Sequence, residues 1–157
     1  MASRNGERGI TFLEMLATTA ILVILAGAVL PLARVAKKRQ KEIELRHSLR
    51  VIRTAIDRFH DDSKNGRVAG TCVKLGAENY PEELELLVKG CAAVGKIGTK
   101  VKYLRRIPVD PMTGTNEWGM RCYQDDPDST SFCGENVWDV YSKSEGKGLD
   151  GTPYKDW

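Results

Sequence analysis

The sequence predicts an α+β protein. A long N-terminal helix, membrane-spanning in its first half, packs its second half on a small antiparallel sheet. Three observations carry this reading. Met15–Ala33 runs for 19 residues without a charge, close to the roughly 20 apolar residues that a helix needs to cross a bilayer. Leu45, Leu49, Ile52, Ile56 and Phe59 then recur at spacings of four, three, four and three, the stripe of an amphipathic helix. Further on, Glu117–Gln124 and Asn136–Ser142 read as strands, separated by the turn-forming stretch Asp125–Gly134.

Composition sets the outer limits. The chain has 157 residues, 24 Lys and Arg against 21 Asp and Glu, 41% hydrophobic and 29% charged residues. That size suits one globular domain plus an appendage, and that usage argues against wholesale disorder. The uncharged run makes a freely soluble enzyme the less favoured class. Charge is segregated: Arg34–Lys64 holds ten basic and five acidic side chains, and Asn65–Trp157 holds twelve and fourteen.

The N-terminal segment is the most specific part. A secretory signal would have a shorter apolar region closed by a small-residue cleavage site. Here, although Gly27-Ala28 mimics such a site, the apolar run continues into the helical pattern. A plain anchor explains the length but leaves Glu14 unexplained, an acid inside an apolar segment and therefore a functional candidate. The string Arg8-Gly9-Ile10-Thr11-Phe12-Leu13-Glu14-Met15-Leu16 resembles the processing site of type IV prepilins and type II secretion pseudopilins. In that family a short basic leader ends in glycine. A peptidase cuts after the glycine and N-methylates the new terminus. A glutamate stands fifth in the mature chain, before a long apolar helix. Ile10 replaces the usual phenylalanine or methionine at the first mature position.

The chemistry of this motif is sound in itself. Cleavage between Gly9 and Ile10 creates an ammonium at Ile10. Glu14 of a neighbouring subunit would be its counter-charge, and in low dielectric such a pair is strong while either partner alone is costly. Pro31 lies where pilin-like anchors often carry a proline, and it is equally a simple kink. The cations Arg34, Lys37, Lys38, Arg39 and Lys41 outnumber Arg4 and Arg8 on the other flank. By the positive-inside rule alone the C-terminal part would lie in the cytoplasm. The resemblance places it outside, and its motif is the more specific signal.

With no glycine between Leu30 and Phe59 and Pro31 the sole proline there, one helix is expected from about Thr11 to about Ser63, roughly 80 Å long. Asn65–Gly70 reads as a loop. Asn79-Tyr80-Pro81-Glu82-Glu83-Leu84 reads as a helix start, capped at Asn79 or Tyr80, with Leu84, Leu87 and Val88 buried and Gly90 at its end. Cys91–Gly98 reads as loop. Tyr103–Pro111 reads as extended chain that its two prolines exclude from a central strand. This order, with Ile107-Pro108-Val109-Asp110-Pro111-Met112-Thr113-Gly114, then Trp138-Asp139-Val140-Tyr141-Ser142 and the closing Leu149–Trp157, is similar to the major (G-type) pseudopilins over nearly the whole chain. The region around Thr71–Gly98 is longer than in that family. The resemblance implies a type IV pilin-like fold. Its parts are a leader at 1–9, a transmembrane or filament-core helix at 10–33, the second half of the stem at 34–64 and a globular head at 65–157.

The resemblance further implies a structural subunit of a periplasmic pseudopilus, anchored in the inner membrane with its head in the periplasm. Its partners would be copies of itself, prepilin peptidase, minor pseudopilins and the inner-membrane secretion platform. A minor type IV or competence pilin, and an uncut membrane-anchored binding module, are the alternatives. Export would put Cys72, Cys91, Cys122 and Cys133 in an oxidising compartment. Of three possible connectivities, Cys72–Cys91 with Cys122–Cys133 is favoured because each pair brackets one local excursion. A four-cysteine zinc site lacks any Cys-x-x-Cys pair. The family often binds calcium in its last loop, and Asp150 and Asp156 are the matching acids. Two acids fall short of the six to eight oxygens calcium takes, and turn carboxylates without metal are the other reading. Trp157 reads as a packing anchor. His47 and His60 have no third metal ligand and no nucleophile partner, so no catalytic site is expected. The cationic cluster lacks interleaved aromatics, so no nucleic-acid partner is expected.

Overall fold

Phe12 opens a 53-residue helix, α1 (Phe12–Lys64), in the computed structural model, which describes residues 9–96, 98–126 and 129–157. The leader residues before Gly9 lie outside this range. The helix continues through Pro31, which has no N–H to offer the preceding turn. It ends at a glycine in a Schellman motif. Gly66, at φ 65°, donates its N–H to the Ser63 carbonyl at 3.0 Å, and Arg67 donates to Asp62 at 2.8 Å. Those two bonds satisfy carbonyls the helix leaves open.

The chain forms two compact units, Met1–Arg39 and Gln40–Trp157. The packed unit therefore includes the last 25 residues of α1 together with the head. Leu45, Leu49, Ile52, Ile56 and Phe59 are each 0–2% exposed, so the stripe is the spine of the head's core. Val68, Leu84, Leu87, Cys91, Leu104, Trp118, Val137, Val140 and Tyr154 pack with it. The stripe thus buries itself largely on loops and turns, which the two disulfides and a set of buried polar anchors hold in place.

Strand pairing is divided between two two-stranded antiparallel sheets instead of one. The first joins β1 (Cys91–Ala92) to β2 (Lys100–Val101), so Cys91–Gly98 is not all loop. The second joins β3 (Gly119–Arg121) to β4 (Asp139–Tyr141), with Met120 opposite Val140. Both strands are shorter than their sequence windows because side chains take over the ladder. The Cys122 N–H donates to Asp125 Oδ2 at 2.8 Å, and the Tyr123 N–H to Asn136 Oδ1 at 2.9 Å. Gly119 is required within β3, since a Cβ there would run into the Tyr141 ring.

The second helix, α2 (Leu84–Lys89), starts later than the Tyr80-Pro81 signal implied. Glu78 and Asn79 take positive φ values of 49° and 66°. The Pro81 carbonyl accepts the Val137 N–H at 2.7 Å, which ties that residue to the strand side of the head. Leu84 and Leu87 are buried as expected, Val88 only partly. Gly90 ends the helix at φ 77°, and any Cβ there would lie 2.6 Å from the Val101 carbonyl. Tyr103–Pro111 joins no sheet, as its two prolines implied, but it bends at Tyr103, Arg105 and Arg106 and enters a turn at Pro111 rather than running extended throughout. A long N-terminal apolar helix followed by small antiparallel sheets is an α+β arrangement compatible with a pilin-like fold.

Candidate functional site

The candidate site is the start of α1. Gly9, Ile10 and Thr11 precede the helix in non-helical chain. Thr11 caps it: its Oγ1 accepts the Glu14 N–H at 3.3 Å, and its carbonyl accepts the Met15 N–H at 3.1 Å. Thr-x-x-Glu is the capping-box spacing, which satisfies donors that a helix start leaves open. Glu14 therefore has a local role, as the acid in the first turn that the helix dipole favours. Thr11 is a functional residue that hydrophobic periodicity passes over, although the Thr-x-x-Glu spacing carries the signal. A cut between Gly9 and Ile10 removes neither partner of the cap, so a shortened chain keeps its helix start.

Every residue from Ile10 to Gly27 is exposed. Ile10, Phe12, Leu13 and Val23 expose 69–82% of their surface. Soluble monomers rarely leave an apolar surface of this length uncovered, and among the described residues this is the one helix long and apolar enough, by length and composition, to cross a membrane. Thr18 and Thr19 interrupt the run, but both are internally satisfied. Thr18 donates its hydroxyl to the Met15 carbonyl at 3.0 Å, and Thr19 to the same carbonyl at 2.8 Å. Such back-bonding makes a hydroxyl tolerable in an apolar phase.

The head is fastened to α1 by side chains that periodicity gave no reason to single out. Glu42, 8% exposed, accepts the Leu149 N–H at 2.9 Å and the Tyr154 hydroxyl at 3.0 Å. Burial first, and then the Glu42 carboxylate, push the Tyr154 hydroxyl up to about 12. Arg53 donates to both Asp139 carboxylate oxygens, at 2.6 and 3.2 Å, and to the main-chain oxygens of Val140 and Trp157. Arg121, 6% exposed, lies over the Tyr141 ring and donates to the carbonyls of Ser129 and Lys155. Asp110 is fully buried, accepting the Ser142 hydroxyl and the Met112 N–H. That is the physical content of the Pro-Val-Asp-Pro-Met-Thr-Gly stretch: one carboxylate nails a turn to the end of β4.

All four cysteines are paired, Cys72 with Cys91 and Cys122 with Cys133. No thiolate is left for the four-cysteine zinc alternative. Among the described residues one trio of metal-capable side chains comes together, Cys122, Asp125 and Cys133, and two of its members are that disulfide. Asp150 and Asp156 line one cavity of about 540 Å³ together with Arg46, Arg50 and Arg53. Asp150 Oδ1 accepts the Thr152 N–H at 3.0 Å and hydroxyl at 2.6 Å, while Oδ2 lies 3.4 Å from Arg46. The Thr152 bonds, ahead of Arg46, hold the Asp150 carboxyl below its ordinary range. Asp150 is engaged by Thr152 and Arg46, and Asp156 shares the cavity with three guanidiniums, a cationic surround that opposes a calcium ion. Trp157 is an anchor, edge-on to Tyr154, under the Arg46 guanidinium and bonded to the Thr152 hydroxyl. His60 stacks on Tyr80 at 4.3 Å between ring centroids. Burial, then Asp57, raise the Tyr80 hydroxyl above its usual range.

Compared with protein-family models, with curated proteins and with solved structures, the chain has no match.

Proposed function

We propose that this chain is a pilin-like structural subunit that is cut between Gly9 and Ile10, inserted through α1 and polymerised into a filament of the type II secretion kind. The observation that carries the reading is the start of α1. There an apolar, exposed helix begins directly behind the cleavage motif and holds Glu14 in its first turn. Mechanism lies in assembly. The apolar stems exchange lipid for each other, and the Glu14 carboxylate meets the Ile10 ammonium of the next subunit, which fixes the register. Prepilin peptidase supplies the cut and the methyl group, and an inner-membrane platform with minor pseudopilins receives the subunits. The two disulfides support a periplasmic head, since such bonds persist in oxidising compartments.

The cationic flank Arg34–Lys41 favours a second reading, an uncut anchored module with its head in the cytoplasm. Glu14→Gln separates the readings. Glutamine keeps the capping-box residue type but removes the charge. A polymer subunit carrying it fails to assemble, or assembles out of register, with its head folded. Normal filaments from the Gln variant would sink the Glu14 pairing.

A further inference from the structure

We propose that the loop tip at Leu75 is a knob that seats in the groove between α1 and residues 103–109 of a second copy of this chain. The inference rests on the polymer reading above and names the contact between heads.

Leu75 is fully exposed, at 102% of its reference surface. It is also held in place. Cys72 is bonded to Cys91, Ala77 is 1% exposed, and the Asn79 side chain bonds the Ser63 hydroxyl of α1 at 3.1 Å. Glu78 and Asn79 sit at positive φ, a conformation that costs free energy and persists only where the surroundings impose it. A loop whose backbone is already held loses little freedom on docking.

The groove has a volume of about 570 Å³. Val51, Pro108 and Val109 supply apolar lining, and exposed Glu44, Arg105 and Arg106 carry its charge. The knob has the matching signs. Lys74 precedes Leu75 and Glu78 follows it, both exposed. Lys74 pairs with Glu82 at 3.3 Å, an exposed pair worth little, so on docking Lys74 trades Glu82 for Glu44 while Glu78 meets Arg105 and Arg106. Complementary potentials of this kind fix partner and register.

Knob and groove are different patches of the head. Asn79 ties the knob to Ser63, while the groove runs along α1 beside Glu44, Ser48 and Val51, with Tyr103 at its edge bonded to Asp62. From Ser48 to Ser63 the helix rises about 22 Å. Copies anchored through one membrane point the same way. The knob of one then meets the groove of a neighbour displaced along the head's own stretch of α1. A contact between two different patches does not close on itself and runs on as an open chain.

The test is a double variant of the full-length chain in membranes, Leu75→Cys with Val109→Cys, oxidised and run without reductant. Both positions are exposed. A ladder of covalent multimers is expected, absent from either single variant and lost on reduction. An amine-reactive cross-linker on the natural chain runs in parallel. Multimers with that reagent but no cysteine ladder would overturn this contact and leave the polymer standing. Multimers by neither route would overturn both. Cross-linked dimers with nothing above them would overturn the open contact. In the chain with its own cysteines only, Leu75→Asp is expected to lower multimer yield about tenfold, and an unchanged yield would refute the knob.

Discussion

Replacing Glu42 with alanine is expected to free the C-terminal segment from α1. One carboxylate oxygen accepts both the Leu149 N–H and the Tyr154 hydroxyl. The residue is 8% exposed and Tyr154 is 3% exposed, so water does not readily replace the lost acceptor. A hydrogen bond to a charged group contributes about 1.5–3 kcal/mol, and a buried donor left bare costs about 1–3 kcal/mol. The two bonds share one oxygen and do not add fully, so Glu42→Ala should cost about 2–4 kcal/mol. Glu42→Gln keeps an acceptor and loses only the charge assistance, for about 1 kcal/mol. Denaturant unfolding of the detergent-extracted chain, followed by tryptophan fluorescence, reads both. Trp157 packs edge-on to Tyr154 at 5.1 Å and reports the segment directly. Both variants within about 0.5 kcal/mol of the parent would refute the clamp.

Alkaline titration should expose the same site. Tyr154 ionises near pH 10 when unfolded and at about 12 when folded, so its contribution is whole below pH 10 and is lost as pH rises to 12. The loss is on the order of 2 kcal/mol. Burial and the Asp62 carboxylate raise the Tyr103 hydroxyl too, adding to the slope. Tyr154→Phe should flatten it, which unfolding curves between pH 9 and 12 test. Replacing either cysteine pair by serine should cost about 3 kcal/mol in the chain-entropy model, from loops closed over 19 and 11 residues; protease resistance of the head reports it. Gly119→Ala should displace the Tyr141 ring and destabilise by about 1–3 kcal/mol, visible as a lower Tm.

The long elements were legible because their signals are local. The uncharged run and the stripe from Leu45 to Phe59 dictate α1 from Phe12 to Lys64, and the pairing of the cysteines followed from which excursions they bracket. Short elements were less so. Pro81 looks like a helix start until Val137, 56 residues on, claims its carbonyl. The Cys91–Ala92 strand exists because Lys100–Val101 comes back to it, and two residues carry no periodicity. Nothing local marks Glu42, Arg53 or Asp110 as an anchor, since their partners lie 86 to 112 residues away for the first two and 32 away for Asp110. Thr11 was different. Its Thr-x-x-Glu spacing was in plain view, overshadowed by the stronger reading of Glu14.

The central claim is that the chain is cut, exported and oxidised. Intact mass of the membrane-extracted, non-reduced protein from cells with a prepilin peptidase tests all three at once. The account expects the loss of Met1–Gly9, the gain of one methyl group and the loss of four hydrogens. A full-length, unmethylated chain with four free thiols would contradict it and return the head to the cytoplasmic side.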